Sequence, residues 1–145
     1  MIRVTERLDI VARLLPAALV LELEAPQGVA LREMGDVDGA MAAWDASLVV
    51  EPDFFGALHA KGAVYLEQEA WTDAMRTLSQ AAAAKDDHAD VHYNLALAVL
   101  GAGAAGQLEG DAELMAIQSL KVAHDLDPED VEVTVALADL TLKRI

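Results

Sequence analysis

The stretch Gly35-Asp36-Val37-Asp38-Gly39-Ala40, followed by Trp44, Leu48 and Pro52, recurs along the chain. Its second appearance is Ala70-Trp71-Thr72-Asp73-Ala74, followed by Leu78, Ala81 and Asp86. The third is Gly110-Asp111-Ala112-Glu113-Leu114-Met115-Ala116, followed by Leu120, Ala123 and Pro128. Ala40 and Ala74 stand 34 residues apart, and the step from Ala74 to Ala116 is longer by eight. A period of this size marks an array of stacked supersecondary units. The surplus falls in the glycine- and alanine-rich stretch from Gly101 to Gly110, which predicts an enlarged loop.

A helical segment precedes each copy. It carries Gly28 and Leu31 in the first, Leu58, Gly62 and Tyr65 in the second, and Leu95, Ala96 and Val99 in the third. Two antiparallel helices approach closely only where side chains are small. Gly28, Gly62 and Ala96 supply that gap on the first helix of each pair, and Ala40, Ala74 and Ala116 on the second. Trp44, Leu78 and Leu120 then fill the space between one pair and the next. Pro52 and Pro128 end the second helix. Asp86-Asp87 stand at the matching place in the second copy and are expected to cap the following helix.

This order of a bulky residue, a small one, a large apolar one, a turn, then Ala, a large apolar residue, Ala and Pro resembles the tetratricopeptide-repeat family. Three in-phase copies over residues 21 to 130 carry the likeness. The resemblance implies an all-α fold, a right-handed superhelical stack of antiparallel helix pairs with flanking helices at both ends. The expected division is an amphipathic helix or half-repeat at 1–20, repeats at 21–54, 55–88 and 89–130, and a capping helix at 131–145, with the enlarged loop at 101–112. Pro26 departs from the pattern and predicts a first helix that is kinked or begins late. The alternation of Val131, Val133, Val135 and Leu137 imitates a strand, but the repeat context makes it a helix.

Composition narrows the function. Hydrophobic residues make up 54 % of the chain and aromatic ones only 4 %. Mean hydropathy is +0.27, more apolar surface than one small core absorbs, so part of it is expected to meet a partner. The formal charge of −15 repels nucleic acid and anionic membrane and suits a basic partner. The charge is uneven, since the first twenty residues carry Arg3, Arg7 and Arg13 against Glu6 and Asp9. There is no cysteine, which excludes disulfides and thiolate chemistry and fits a cytoplasmic protein. The apolar run Leu14 to Leu21 is too short for a membrane span, and Glu6 and Asp9 spoil a secretory leader.

Catalysis needs convergent polar groups, and none are evident. His88 and His92 share i, i+4 spacing beside Asp86, Asp87 and Asp90, but His88 falls at a helix entrance and no third histidine or cysteine supports a metal. His59 and His124 are isolated. Ser47, Ser79 and Ser119 lie on second helices, away from any nucleophile elbow. Gly101 to Gly106 lacks both the preceding strand and the lysine of a P-loop. Asp125, Asp127, Glu129 and Asp130 lack EF-hand spacing. No cofactor, metal or enzymatic activity is expected.

By resemblance, the first helices of the pairs line a concave groove that takes a peptide or partner helix. His59, Ala63, Leu66, Asp90, Tyr93, Asn94, Leu97 and Leu100 are its expected lining. Chaperone-binding members of the family hold a C-terminal carboxylate with lysine, arginine and asparagine. At the corresponding places stand Ala25, Val29, Ala60, Asp90 and Asn94, so an apolar or basic ligand is expected instead. The expected function is a protein-interaction scaffold or adaptor. The alternative is a structural subunit that self-associates through its terminal helices, with Arg3, Arg7, Val135 and Leu142 on the assembly surface.

Overall fold

The computed structural model describes residues 26–145. They form α1 (26–33), α2 (Val37–Val50), α3 (Phe55–Glu67), α4 (Trp71–Ala84), α5 (Ala89–Ala104), α6 (Ala112–Leu126) and α7 (Val131–Lys143). No strand occurs among the described residues. Pro26 is itself helical. Val131 to Leu137 is helix, not strand.

The repeat is written into the turns. After α1 the Asp36 N–H donates to the Leu31 carbonyl (2.8 Å) and the Gly35 N–H to the Arg32 carbonyl (2.9 Å). After α3 the same two bonds run from Ala70 to Tyr65 (2.9 Å) and Glu69 to Leu66 (3.0 Å). After α5 they run from Gln107 to Ala102 (2.8 Å) and Gly106 to Gly103 (3.1 Å). This closure needs one left-handed residue. Gly35 and Gly106 provide it at φ 85° and 70°, and in the middle repeat Glu69 does so at φ 56°.

The second helices begin on the same plan. Asp36 caps α2 by accepting from the Gly39 N–H (2.9 Å), and Asp111 caps α6 by accepting from the Leu114 N–H (3.0 Å). Ala70 stands at that place before α4 and makes no side-chain cap bond. The middle repeat therefore carries a strained turn and an open cap. Glu69→Gly and Ala70→Asp are each expected to stabilise the protein by about 1 kcal/mol, read as a higher urea midpoint at unchanged slope.

The helix ends repeat too. Glu51 and Lys85 are extended, Asp127 stands at φ −139° and ψ 85°, and the three donate their N–H to the carbonyls of Ser47, Ala81 and Ala123, all at 2.9 Å. Pro52 and Pro128 impose that conformation on the residue before them, and Lys85 adopts it without a proline. Asp86 and Asp87 do not cap α5. Its N-cap is His88, in extended conformation, whose side chain makes no capping bond to the helix.

The described residues fall into two compact units that divide between Lys61 and Gly62. In the first unit Ala40, Ala43, Trp44, Ala57 and Leu58 are buried, and the Trp44 ring occupies the space where a Gly28 side chain would stand. Lys61 reaches Asp45 at 2.5 Å. In the second unit α4 packs on α5, α5 on α6 and α6 on α7. Ala74, Leu78 and Ala98 form one buried cluster, and Gly62 leaves its room to Leu78. Ala96, Val99, Ala116, Ile117, Leu120, Ala123, Val133 and Leu140 form the other.

The loop expected at 101–112 is shorter, because α5 runs through Gly101 and Gly103 to Ala104. A side chain at Gly101 would strike the Trp71 ring, and one at Gly103 would strike the Ala112 methyl. Both glycines are thus packing positions of a helix. The eight surplus residues divide among three sites. α5, at 16 residues, is three longer than α3, at 13. Four fall at 107–110, and one lies at the start of α6, so Ala116, Leu120 and Ala123 keep the phase of Ala74, Leu78 and Ala81.

Candidate functional site

Asp90, Tyr93, Asn94, Leu97 and Leu100 share one stripe of α5 by their helical spacing. Asp90 is exposed, Leu97 is 38 % exposed, and Tyr93, Asn94 and Leu100 are half-buried. Tyr93 and Leu100 rest against the larger core cluster of the second unit, so their outer edges stand on a rigid floor. The Tyr93 phenol is pushed above its ordinary range, first by burial and then by Glu132 and Asp130 at the start of α7. It remains a neutral hydroxyl beside two carboxylates at all physiological pH.

The stripe ends at a cavity of about 530 Å³ between the end of α5, the start of α6 and the end of α7. Leu100, Leu108 and Leu140 give it apolar walls; Asp111, Glu113 and Lys143 give it a charged rim. Arg144 clamps this rim. Its guanidinium donates to both Asp111 oxygens, at 3.1 and 2.7 Å, and lies 3.7 Å from Glu113. The two-point bond ties the end of α7 to the cap of α6.

The Asp111 carboxyl is held below its usual range, first by the Leu114 N–H and then by Arg144. Its folded-state advantage is therefore complete at neutral pH. It begins to fade as pH falls to the ordinary carboxylate value, where the unfolded chain takes up its proton, and is gone once pH has fallen through the lower folded-state value. An NMR titration of the Asp111 carboxyl carbon is expected to show a low midpoint, which Arg144→Gln moves upward.

The other expected groove residues sit as follows. Ala63 and Leu66 on α3 belong to the second unit and are half-buried, Leu66 resting on the cluster of Ala74, Leu78 and Ala98. His59 belongs to the first unit and tilts against the Phe55 ring, with centroids 5.5 Å apart. Ala25, Arg3 and Arg7 lie outside the described residues. Val135 and Leu142 are 52 % and 65 % exposed on α7.

The histidine pair is not brought together as a ligand set. His88 stands outside the helical register, and the His92 ring Nε2 lies 3.0 Å from the Asp86 carbonyl. Among the described residues no group of three or more histidines and acids is placed to hold a metal ion. Ser47 is buried and donates to the Ala43 carbonyl at 3.3 Å. Among the described residues no helix is long and apolar enough to cross a membrane.

Leu108, Leu140, Lys143 and Arg144 escaped the sequence reading. Asp111 and Arg144 are 33 residues apart, and no pattern links them. Leu108 was hidden by its glycine-rich surroundings.

No protein-family model matches the chain, and no curated protein matches it. Solved structures do. MamA of Desulfovibrio magneticus RS-1 superposes with a TM-score of 0.71 at 28 % identity, over 86 % of this chain and 66 % of that one. An O-GlcNAc transferase mutant of Thermobaculum terrenum gives 0.71 at 25 % identity, over 87 % of this chain and 23 % of that one. The second TPR domain of human RPAP3, in complex with an HSP70 peptide, gives 0.74 at 13 % identity, over 87 % and 98 %. The chain thus spans 66 % of the MamA chain and less than a quarter of the transferase. Together with the repeated turns and the small-against-large packing of each pair, these likenesses make this a chain of the tetratricopeptide-repeat fold.

Proposed function

We propose that the chain is a protein-interaction scaffold whose α5 face holds an extended peptide or helix of a partner protein, of apolar and basic character. One observation carries the reading. Leu97 stands exposed between Tyr93, Asn94 and Leu100, on a face edged by Asp90, Asp130 and Glu132 and leading into the cavity under Arg144. Apolar floor supplies affinity, the Asn94 amide can pair with a peptide backbone, and the acidic edge selects cations. Ala63 and Leu66, in the same unit, extend the face on α3.

RPAP3 is bound to the HSP70 peptide SGPTIEEVD, an acidic ligand. At 13 % identity that likeness carries the fold and not the ligand. Asp90 and the neighbouring carboxylates would repel such a peptide. The reading places the chain in the cytoplasm, with no cofactor and no reaction of its own.

Selection from a displayed library of random ten-residue peptides tests this. Enriched sequences combining leucine or phenylalanine with lysine or arginine, bound by wild type and lost with Leu97→Asp, support it. Enrichment of acidic sequences, or binding indifferent to Leu97→Asp, overturns it.

A further inference from the structure

A groove runs between α4 and α6, over α5. Two cavities of about 330 and 180 Å³ lie along it and share Met75 and Ser79. Leu95 and Val99 of α5 make its floor, and Met115 and Ser119 of α6 its far wall. Helical spacing continues both walls. On α4 the stripe is Thr72, Met75, Ser79 and Ala82; on α6 it is Met115, Ser119, Val122 and Leu126. Met115, Val122 and Leu126 are 38 %, 41 % and 42 % exposed. They make an apolar row three turns long, roughly 16 Å. Walls and floor all belong to the second unit.

Charge separates this groove from the α5 face. The chain has 25 aspartates and glutamates, yet none of them lines either cavity. The one charged group there is Arg76. Its guanidinium donates to Asp73 at 2.9 Å, a bond that uses one of the five donors of the fork. Further along α6, Lys121 and Asp125 stand one turn apart and offset each other in charge. Over α5, by contrast, carboxylates edge the floor.

Shape narrows the occupant. Ser79 and Ser119 line the same cavity, so its middle is walled by small side chains, with Met75 and Met115 beside them. Small residues leave room for an inserted side chain, and flexible thioethers mould round it. An extended peptide is unsuited to this trough. The backbone groups of the walls are paired inside their helices, so the N–H and C=O groups of such a peptide would be buried without partners. A helix brings its backbone already paired.

We propose that the groove between α4 and α6 holds an amphipathic helix of a second partner protein, with a neutral apolar seam three turns long and a carboxylate on the flank that meets Arg76. Leucine-sized side chains at i, i+4, i+7 and i+11 of that helix drop between the two stripes, one of them between Ser79 and Ser119. The charge it selects is the reverse of that selected on α5, so one chain holds two unlike partners.

Fluorescence anisotropy on the full chain, with three labelled and hydrocarbon-stapled helices of about fourteen residues, tests the proposal. The three share a leucine seam of this spacing and carry glutamate, glutamine or lysine on the flanks. At physiological ionic strength the screening length is about 8 Å, so the rim decides the flank rather than the charge of the whole chain. The glutamate form is expected to bind tightest and the lysine form weakest, about tenfold apart. Ser119→Trp, which fills the trough, and Met115→Asp, at an exposed position, are each expected to weaken the glutamate form about tenfold or more. Circular dichroism and the urea midpoint should stay unchanged in both. Arg76→Gln is expected to bring the glutamate and glutamine forms level. Tightest binding by the lysine form overturns the proposal, and so does failure of all three to bind. Binding that survives both Ser119→Trp and Met115→Asp overturns it equally. None of this rests on peptide capture by α5. Leu97→Asp is expected to bind the stapled helices as wild type does.

Discussion

Replacing Leu78 by alanine is expected to cost about 3 kcal/mol of stability, within the ~2–5 kcal/mol range for buried leucines. Leu78 is fully buried. It packs in the cluster with Ala74 and Ala98, and its Cδ2 lies 2.5 Å from where a Gly62 methyl would stand. That closeness makes Gly62 and Leu78 one size-matched pair. Gly62→Ala alone should overpack the site and cost about 1–3 kcal/mol. Introduced together, the substitutions should compensate, because the new methyl enters space that Leu78 has vacated. The double variant is therefore expected to be more stable than the sum of the single losses predicts, measured by urea unfolding as a double-mutant cycle. Strict additivity would show that the two positions do not share one space.

Trp44→Ala is expected to cost more, about 4 kcal/mol, from the ~3–5 kcal/mol range for large buried aromatics. Trp44 is 1 % exposed, and its indole fills the gap that Gly28 leaves. Differential scanning calorimetry reads the loss, and fluorescence locates it. In wild type the blue-shifted emission belongs to Trp44, since Trp71 is half-exposed. In Trp44→Ala only the red-shifted signal should remain. Gly28→Ala, ruinous in wild type, should be nearly neutral in a Trp44→Ala background. A loss below about 1 kcal/mol for Trp44→Ala would mean the site collapses freely, contrary to the close packing of protein interiors.

These pairs explain how much of the fold was legible. Spacing alone marked Gly28 and Gly62 as gaps and Trp44 and Leu78 as large fillers, because a helix pair can be close only where one side chain is missing; it set those fillers between one pair and the next, whereas Trp44 stands against Gly28 and Leu78 against Gly62. Ala40, Ala74 and Ala116 were legible for the same reason, and all three are fully buried. Glu69 was not. Its place calls for a left-handed residue, and the neighbouring repeats use glycine there; a glutamate gives no such signal. Gly101 and Gly103 misled in the opposite direction. Glycine reads as a helix breaker when nothing is known of what lies against it, and only the Trp71 ring and the Ala112 methyl show that it is required within α5. On the α5 face, Asp90, Tyr93, Asn94, Leu97 and Leu100 follow from helical periodicity. The cavity beyond them depends on Leu140 and on Arg144 meeting Asp111, and such long-range encounters leave no trace in local pattern.

The third turn has one more consequence. The closing bonds from Gly106 and Gln107 finish α5, and the Asp111 carboxylate starts α6 afresh. What lies between Gln107 and Asp111 is bounded by two self-sufficient locks, and the four added residues leave the phase of Ala116, Leu120 and Ala123 undisturbed. Beyond Leu108, which packs against the core, such a joint is modular: its length at Glu109 and Gly110 can drift over evolutionary time without a cost to the core. The Glu109–Gly110 bond is accordingly the place to splice in a fluorophore-bearing peptide while α5 and α6 keep their contact.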